Sequence, residues 1–168
     1  MGYVHDTQMS QYLAPNTFHY NVGTWTQAAG QVADTVCMHR AAANETAVIN
    51  IPMMIPSNAA SYKGALLKSI EVDYQLLVAE PTSMSFVLNK VTRGAEGAVA
   101  VVTVPTVTLA LAAAGGKTVD KHKQVVTLST PEWIDNDVYF LLEVTIVAGA
   151  GGNTTDILGA VVNYTLRV

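Results

Sequence analysis

Apolar and polar positions alternate with a period of two along most of this chain, the pattern of strands that bury one face. Near the end of the sequence Leu158, Ala160, Val162, Tyr164, Leu166 and Val168 fall on one side. Ile157, Gly159, Val161, Asn163, Thr165 and Arg167 fall on the other, more polar towards the end. Just upstream, Val138–Val147 is apolar on nearly both sides, which predicts a strand at the centre of a sheet. The glycines and Asn153 in the intervening 148–155 stretch predict a hairpin joining these two strands. Ile70–Leu76 and Met84–Leu88, separated by Glu80-Pro81-Thr82-Ser83, predict a second hairpin. Thr46–Ile51, Val99–Val104 and Gln124–Leu128 read as further strands and Val32–Arg40 as a fainter one, with Pro52, Pro56 and Pro105 limiting their extent.

About eight short strands separated by Gly, Pro, Asn and Ser clusters predict an all-β fold, an antiparallel β-sandwich. The Cys, Trp, Cys signature of immunoglobulin domains is missing, which favours a jelly roll. Thr108–Ala114, rich in Ala and Leu, and a turn near Ser57–Leu67 are the helical exceptions. Neither supplies the repeated crossovers of a nucleotide-binding α/β fold. Residues 1–30 lack sustained alternation and carry Tyr3, Tyr12, Phe18, Tyr20 and Trp25 among Gln, Asn, Thr and Gly. They read as an extended N-terminal arm ahead of a sandwich domain of residues 31–168. Disordered segments are poor in aromatics, so the arm is expected to dock, on its own sandwich or on a neighbouring subunit, through those five rings.

Composition adds a constraint. The 168 residues are 50% apolar and only 13% charged, with net charge −4. A chain of this length buries roughly 70% of its unfolded surface unaided. With so few charges, either the surface is rich in uncharged polar groups or much of it faces other subunits. No Lys/Arg cluster is denser than Lys117, Lys121 and Lys123, so the electrostatic footprint of a nucleic-acid binder is missing. No apolar run approaches a membrane span, and the first residues lack the basic start and apolar stretch of a signal peptide. Cys37, the single cysteine, excludes a disulfide framework and a multi-cysteine zinc site.

Motifs with chemical meaning fail on spacing. Gly116-Lys117-Thr118 has Leu111 where a phosphate-binding loop needs glycine, and the Gly149–Gly152 run lacks the last glycine of a dinucleotide fingerprint. Asp135, Asn136 and Asp137 are a calcium-loop candidate without EF-hand spacing, and the plainer reading is a polar turn before the Val138 strand. His5, His19, His39 and His122 show no metal-ligand spacing, and Cys37 reads as a buried strand thiol without an activating signature. Glu71 and Asp73 share a strand face about 7 Å apart, a separation open to inverting glycosidases but equally that of any half-exposed strand. Trp25 and Trp133 could offer a sugar a stacking face, against the commoner use of tryptophan in cores and interfaces. An enzyme is not expected, nor is a cofactor or resident metal.

The aromatic, polar N-terminal segment, followed by a low-charge Thr/Val/Ala-rich sandwich ending in Gly159-Ala-Val-Val-Asn-Tyr-Thr-Leu-Arg-Val168, resembles the small jelly-roll structural proteins of tailed bacteriophages. Capsid decoration or cement proteins and head- or tail-fibre domains are the nearest in style, over Glu45–Val168. That resemblance implies a virion protein that forms a homo-oligomer, with a trimer expected. It would sit on a shell and clamp a major capsid or other virion protein, contacting neither nucleic acid nor membrane. A carbohydrate- or receptor-binding fibre domain, and an extracellular fibre subunit that donates its N-terminal arm as a strand, are the alternatives.

Overall fold

The computed structural model describes residues 5–29, 36–56, 64–108 and 116–167. Twelve strands form among them: β1 (Asp6–Leu13), β2 (His19–Tyr20), β3 (Trp25–Ala29), β4 (Val36–Ala43), β5 (Ala47–Met53), β6 (Ala65–Leu77), β7 (Ser83–Arg93), β8 (Val99–Thr103), β9 (Thr106–Thr108), β10 (Lys121–Ile134), β11 (Val138–Val147) and β12 (Asn153–Arg167). Short 3-10 turns at Pro15–Thr17 and Ala95–Gly97 interrupt them. No helix among the described residues is long and apolar enough to cross a membrane.

Two antiparallel sheets pack face to face. One has the order β3-β4-β12-β6-β10-β9, with β1 also paired to β12; the other runs β2-β5-β11-β7-β8. The inner four-strand orders β4-β12-β6-β10 and β5-β11-β7-β8 are those of a jelly roll, which the alternation predicted. Ile49 and Ile51 of β5, Ile70, Val72 and Tyr74 of β6, Leu142 and Val144 of β11, and Val162 of β12 fill the space between the sheets. Each strand puts every second side chain there because the pleat alternates. As predicted, β11 is the central strand of its sheet.

The pairing departs from expectation at both predicted hairpins. β11 and β12 lie in different sheets, as do β6 and β7, so both glycine- and proline-containing connections arch across the sandwich. A turn-rich break between two apolar strands looks the same in sequence whether it reverses the chain within a sheet or carries it to the facing one. The two arches meet: Thr82 N–H donates to Val147 C=O at 2.8 Å and Thr82 Oγ1 to Ala148 C=O at 3.0 Å. A Cβ on Gly149 would sit 2.5 Å from the Glu80 carbonyl oxygen, so only glycine allows that approach.

Other boundaries also move. Ala65–Leu67, expected near a helical turn, belong to β6, while residues 57–63 and 109–115 lie outside the described residues, as do 32–35. β10 runs on past Leu128 through an irregularity between Thr127 and Glu132 that accommodates Pro131, a residue unable to donate to a regular ladder. The described part of the N-terminal segment is extended and docks on its own sandwich: β1 on β12, β2 on β5 and β3 on β4.

β12 organises the larger sheet. One of its sides pairs with β6 along most of its length, and the other is shared end to end by β4, over Asn153–Ile157, and β1, over Ala160–Arg167. A bulge at Leu158 shifts the alternation by one residue, so Ile157 joins the core with Ala160 and Val162 instead of lying on the polar side. Gly159 holds φ +142° there, and the Tyr12 ring lies directly over it with its hydroxyl donating to Leu158 C=O at 2.8 Å.

Candidate functional site

The outer face of the β1-β12-β6-β10 layer carries the densest polar constellation. Register places Ser10 beside Asn163 and Asn163 beside Ser69, with Tyr12, Val161 and Glu71 in the next row and Lys123 opposite Asp73. Ser10 Oγ donates to Asn163 Oδ1 at 2.6 Å, and Asn163 Nδ2 donates to Glu71 Oε1 at 2.9 Å. Lys123 Nζ lies 3.0 Å from Glu71 Oε2 and 3.9 Å from Asp73 Oδ1. The hydrogen bond from Lys123, then that from Asn163, hold the Glu71 carboxyl below the usual carboxylate range. Lys123 thus bridges the Glu71 and Asp73 carboxylates, and the shift at Glu71 is opposite to the one a glycosidase acid needs.

At the end of that face Arg167 grips Asp6, Nε to Oδ1 at 2.9 Å and Nη2 to Oδ2 at 3.3 Å, while its guanidinium lies 4.6 Å from the Trp133 ring centroid. Trp133 is 38% exposed, but a cation already covers its face and Gly64 borders the ring. An open sugar platform would need that face free. Trp25 is half-buried, 4.6 Å between centroids from Tyr20, with its indole N–H donating to Val22 C=O.

Of the five rings expected at an interface, Tyr3 lies outside the described residues. Phe18 is 5% exposed in the chain's own core, and Tyr20 packs against that core with its hydroxyl donating to Pro15 C=O. Burial pushes the Tyr20 phenol far above its usual range. Phe18, Tyr20 and Trp25 thus serve the chain's own packing, because β2 and β3 fold back onto its own sheets. Tyr12, 59% exposed, keeps a ring towards solvent.

Asp135, Asn136 and Asp137 form the turn between β10 and β11. Their backbone carbonyls accept from Val138 N–H, Arg93 Nη2 and Arg93 N–H, and all three residues are exposed. Among the described residues no group of three or more His, Cys, Asp or Glu is placed to hold a metal ion. Cys37 is wholly buried, and burial, then the Asp156 charge, push its thiol up, away from the reactive thiolate.

Three features escaped the sequence pattern. His39 Nδ1 meets the buried Asp156 Oδ1 at 2.6 Å, a contact between residues 117 apart that only the β4–β12 register brings together. Arg40, on the same strand, is 1% exposed. The third is the exposure of β8, a strand the alternation did predict, at the outer side of the smaller sheet. Every residue from Val99 to Thr103 is exposed, with Val99, Val101 and Val102 at 60–62%. Among the described residues no strand pairs with its outer side. Exposed edges are commonly guarded by charge, proline or a bulge, and Val-Ala-Val-Val-Thr has none of these. A run of uncharged β-formers between Gly97 and Pro105 was the available signal.

No protein-family model matches this chain, and no curated protein does. Among solved structures it is similar to a family 11 carbohydrate-binding module from Clostridium thermocellum, in complex with a β-1,3-1,4-mixed-linked tetrasaccharide. The TM-score is 0.35 with 8% identity, over 96% of this chain and 89% of that one.

Proposed function

We propose that this protein is a non-enzymatic structural subunit that works as a homo-oligomer, and that β8 is where copies meet. The edge of Val99–Thr103, uncharged and unpaired on its outer side among the described residues, carries this reading. Its free N–H and C=O groups can extend the sheet across a subunit boundary, and covering its three exposed valines removes apolar area from water without desolvating any charge. The segment is also self-complementary. Antiparallel pairing about Val101 sets Val99 against Thr103 and Ala100 against Val102, apolar to apolar or to a β-branched neighbour. The resemblance to phage decoration and cement proteins supplies the finer form of the proposal, an oligomer seated on a virion shell and bound to its major capsid protein.

Sedimentation equilibrium of the purified chain tests it. A defined oligomer is expected, and Val101→Lys, which sets charge against charge at the centre of the edge, is expected to raise the dissociation constant at least about 100-fold while leaving the far-UV spectrum unchanged. Co-sedimentation with preformed shells then tests the virion role. A wild-type monomer at tens of micromolar would overturn the proposal.

A second reading rests on the outer face of the larger sheet, where exposed Tyr12 stands beside Ser10, Asn163, Glu71 and Asp73, an aromatic with the amide and carboxylate partners that sugar hydroxyls require. Glycan-array binding lost in Tyr12→Ala would favour it.

A further inference from the structure

Tyr12 offers an aromatic ring in a fixed position on the outer face of the larger sheet. An added Cβ on Gly159 would lie 2.5 to 2.8 Å from its hydroxyl oxygen, Cε2 and Cζ, so the ring covers that glycine. Its hydroxyl is held by Leu158 C=O. Tyr12 is nevertheless 59% exposed, which leaves the side turned away from Gly159 open to solvent. The cross-strand partner of Gly159 on β6 is Asp73, so a carboxylate stands beside the ring. Burial, then the Asp73 charge, push the Tyr12 phenol above its usual range. On the far side of Asp73, Lys123 lies 3.9 Å from Oδ1 but 3.0 Å from Glu71, to which it is chiefly committed. Two carboxylates and one ammonium therefore leave a surplus of negative charge next to the ring.

An aromatic face attracts a cation through its quadrupole, and a carboxylate beside it adds a Coulombic term of the same sign. We propose that Tyr12 and Asp73 form a subsite for a protonated amino sugar, whose ammonium is shared between the ring and the carboxylate. This rests on the carbohydrate reading of the same face and names the class of sugar it takes. The surplus negative charge favours a cationic sugar over a neutral one and disfavours a uronate. Ser10 lies two residues from Tyr12 on the same strand face, about 7 Å away, within the span of a neighbouring sugar unit. Its hydroxyl donates to Asn163 and keeps lone pairs free for a sugar hydroxyl. A lysine side chain would bring the same ammonium but no hydroxyls for that second position. The ring is already held by Leu158, so little ordering cost opposes binding.

The subsite lies on the sheet that does not contain β8, so it can be tested on monomer or oligomer alike. A chitosan tetramer, protonated at about pH 5.5, is titrated into labelled protein at fixed ionic strength, following the Tyr12 ring signals and the amides of Ser10, Gly159 and Asp73. Cellotetraose, with a hydroxyl in place of each ammonium, and N-acetyl-lysine methylamide are the comparisons. The chitosan tetramer is expected to give saturable shifts, with cellotetraose at least about fivefold weaker at the same signals and the lysine derivative weaker still. Asp73→Asn is expected to reduce chitosan affinity about fivefold, to that of cellotetraose, whereas Asp135→Asn, in the β10–β11 turn, leaves it unchanged. Tyr12→Ala is expected to abolish binding of both sugars; should that variant fail to fold, the Asp73→Asn comparison decides. Equal binding of the two sugars, or no effect of Asp73→Asn, would overturn the subsite and leave the carbohydrate reading standing. Binding of neither would remove both. A lysine derivative that binds as tightly as the chitosan tetramer would overturn the amino-sugar assignment.

Discussion

Glu71 shows how a carboxyl on a half-exposed strand face is set by neighbours far away in the chain. Lys123 and Asn163 reach it from two other strands, neither near it in the chain. Their bonds favour the ionised form, so the carboxyl has a lower pKa folded than unfolded. The resulting stabilisation is complete above the unfolded value and is lost as pH falls through the folded one. Glu71→Gln is therefore expected to lower stability at neutral pH by up to about 1 kcal/mol, kept small by the half-exposed Lys123, and by progressively less as pH falls below the usual glutamate range. Urea unfolding of both proteins across that range measures the convergence; a gap that widens on acidification would contradict it. Residues of this kind were only half legible. Their strand face followed from alternation, but their partners depended on register, which alternation leaves open.

At the scale of elements, the period-two pattern located most strands because burying one face of a pleated sheet demands it. It missed β9, where Thr108 was expected to open a helical stretch, and β1, β2 and β3, whose sequences mix aromatic and polar residues without sustained alternation. β1 is largely exposed and is held by side-chain bonds such as Ser10 to Asn163 and Arg167 to Asp6 rather than by an apolar stripe. Assigning strands to sheets also failed, at both arches, since local turn chemistry is shared by hairpins and crossovers. The β12 bulge is a further case: Gly159 was visible, but its φ of +142° and the Tyr12 ring above it were not. Gly159→Ala must strain the backbone and drive a Cβ to 2.5 Å from the Tyr12 hydroxyl oxygen. A loss of about 2–3 kcal/mol in denaturant unfolding is expected. Tyr12→Ala in the same background should recover part of it by vacating the space, and an additive double variant would show that the ring and the glycine are not coupled.

For the whole molecule, strand periodicity made the fold class readable, a β-sandwich, and low charge raised the expectation that part of its surface is contact surface. Neither indicated which surface. The exposed edge of β8 and the buried Arg40 emerge only once the sheets are assembled, because exposure at an edge and burial of a cation are properties of the packed chain.

The middle position of β11 and β12 has a consequence for the timing of folding. Chains are made from the N-terminal end, and within this domain the central strand of each sheet is made last. Until they emerge, β4 and β6 have no common neighbour, and neither do β5 and β7. Only outer pairs such as β3 with β4, β6 with β10 and β7 with β8 can form before then, leaving edges exposed that are prone to mispair. Folding should then be a single late event with no stable N-terminal half, set by long-range pairings such as Asp6 with Arg167. A chain ending before Asn153 is expected to show no dispersed amide spectrum. A folded, protected core in that fragment would show that one sheet can form without its keystone.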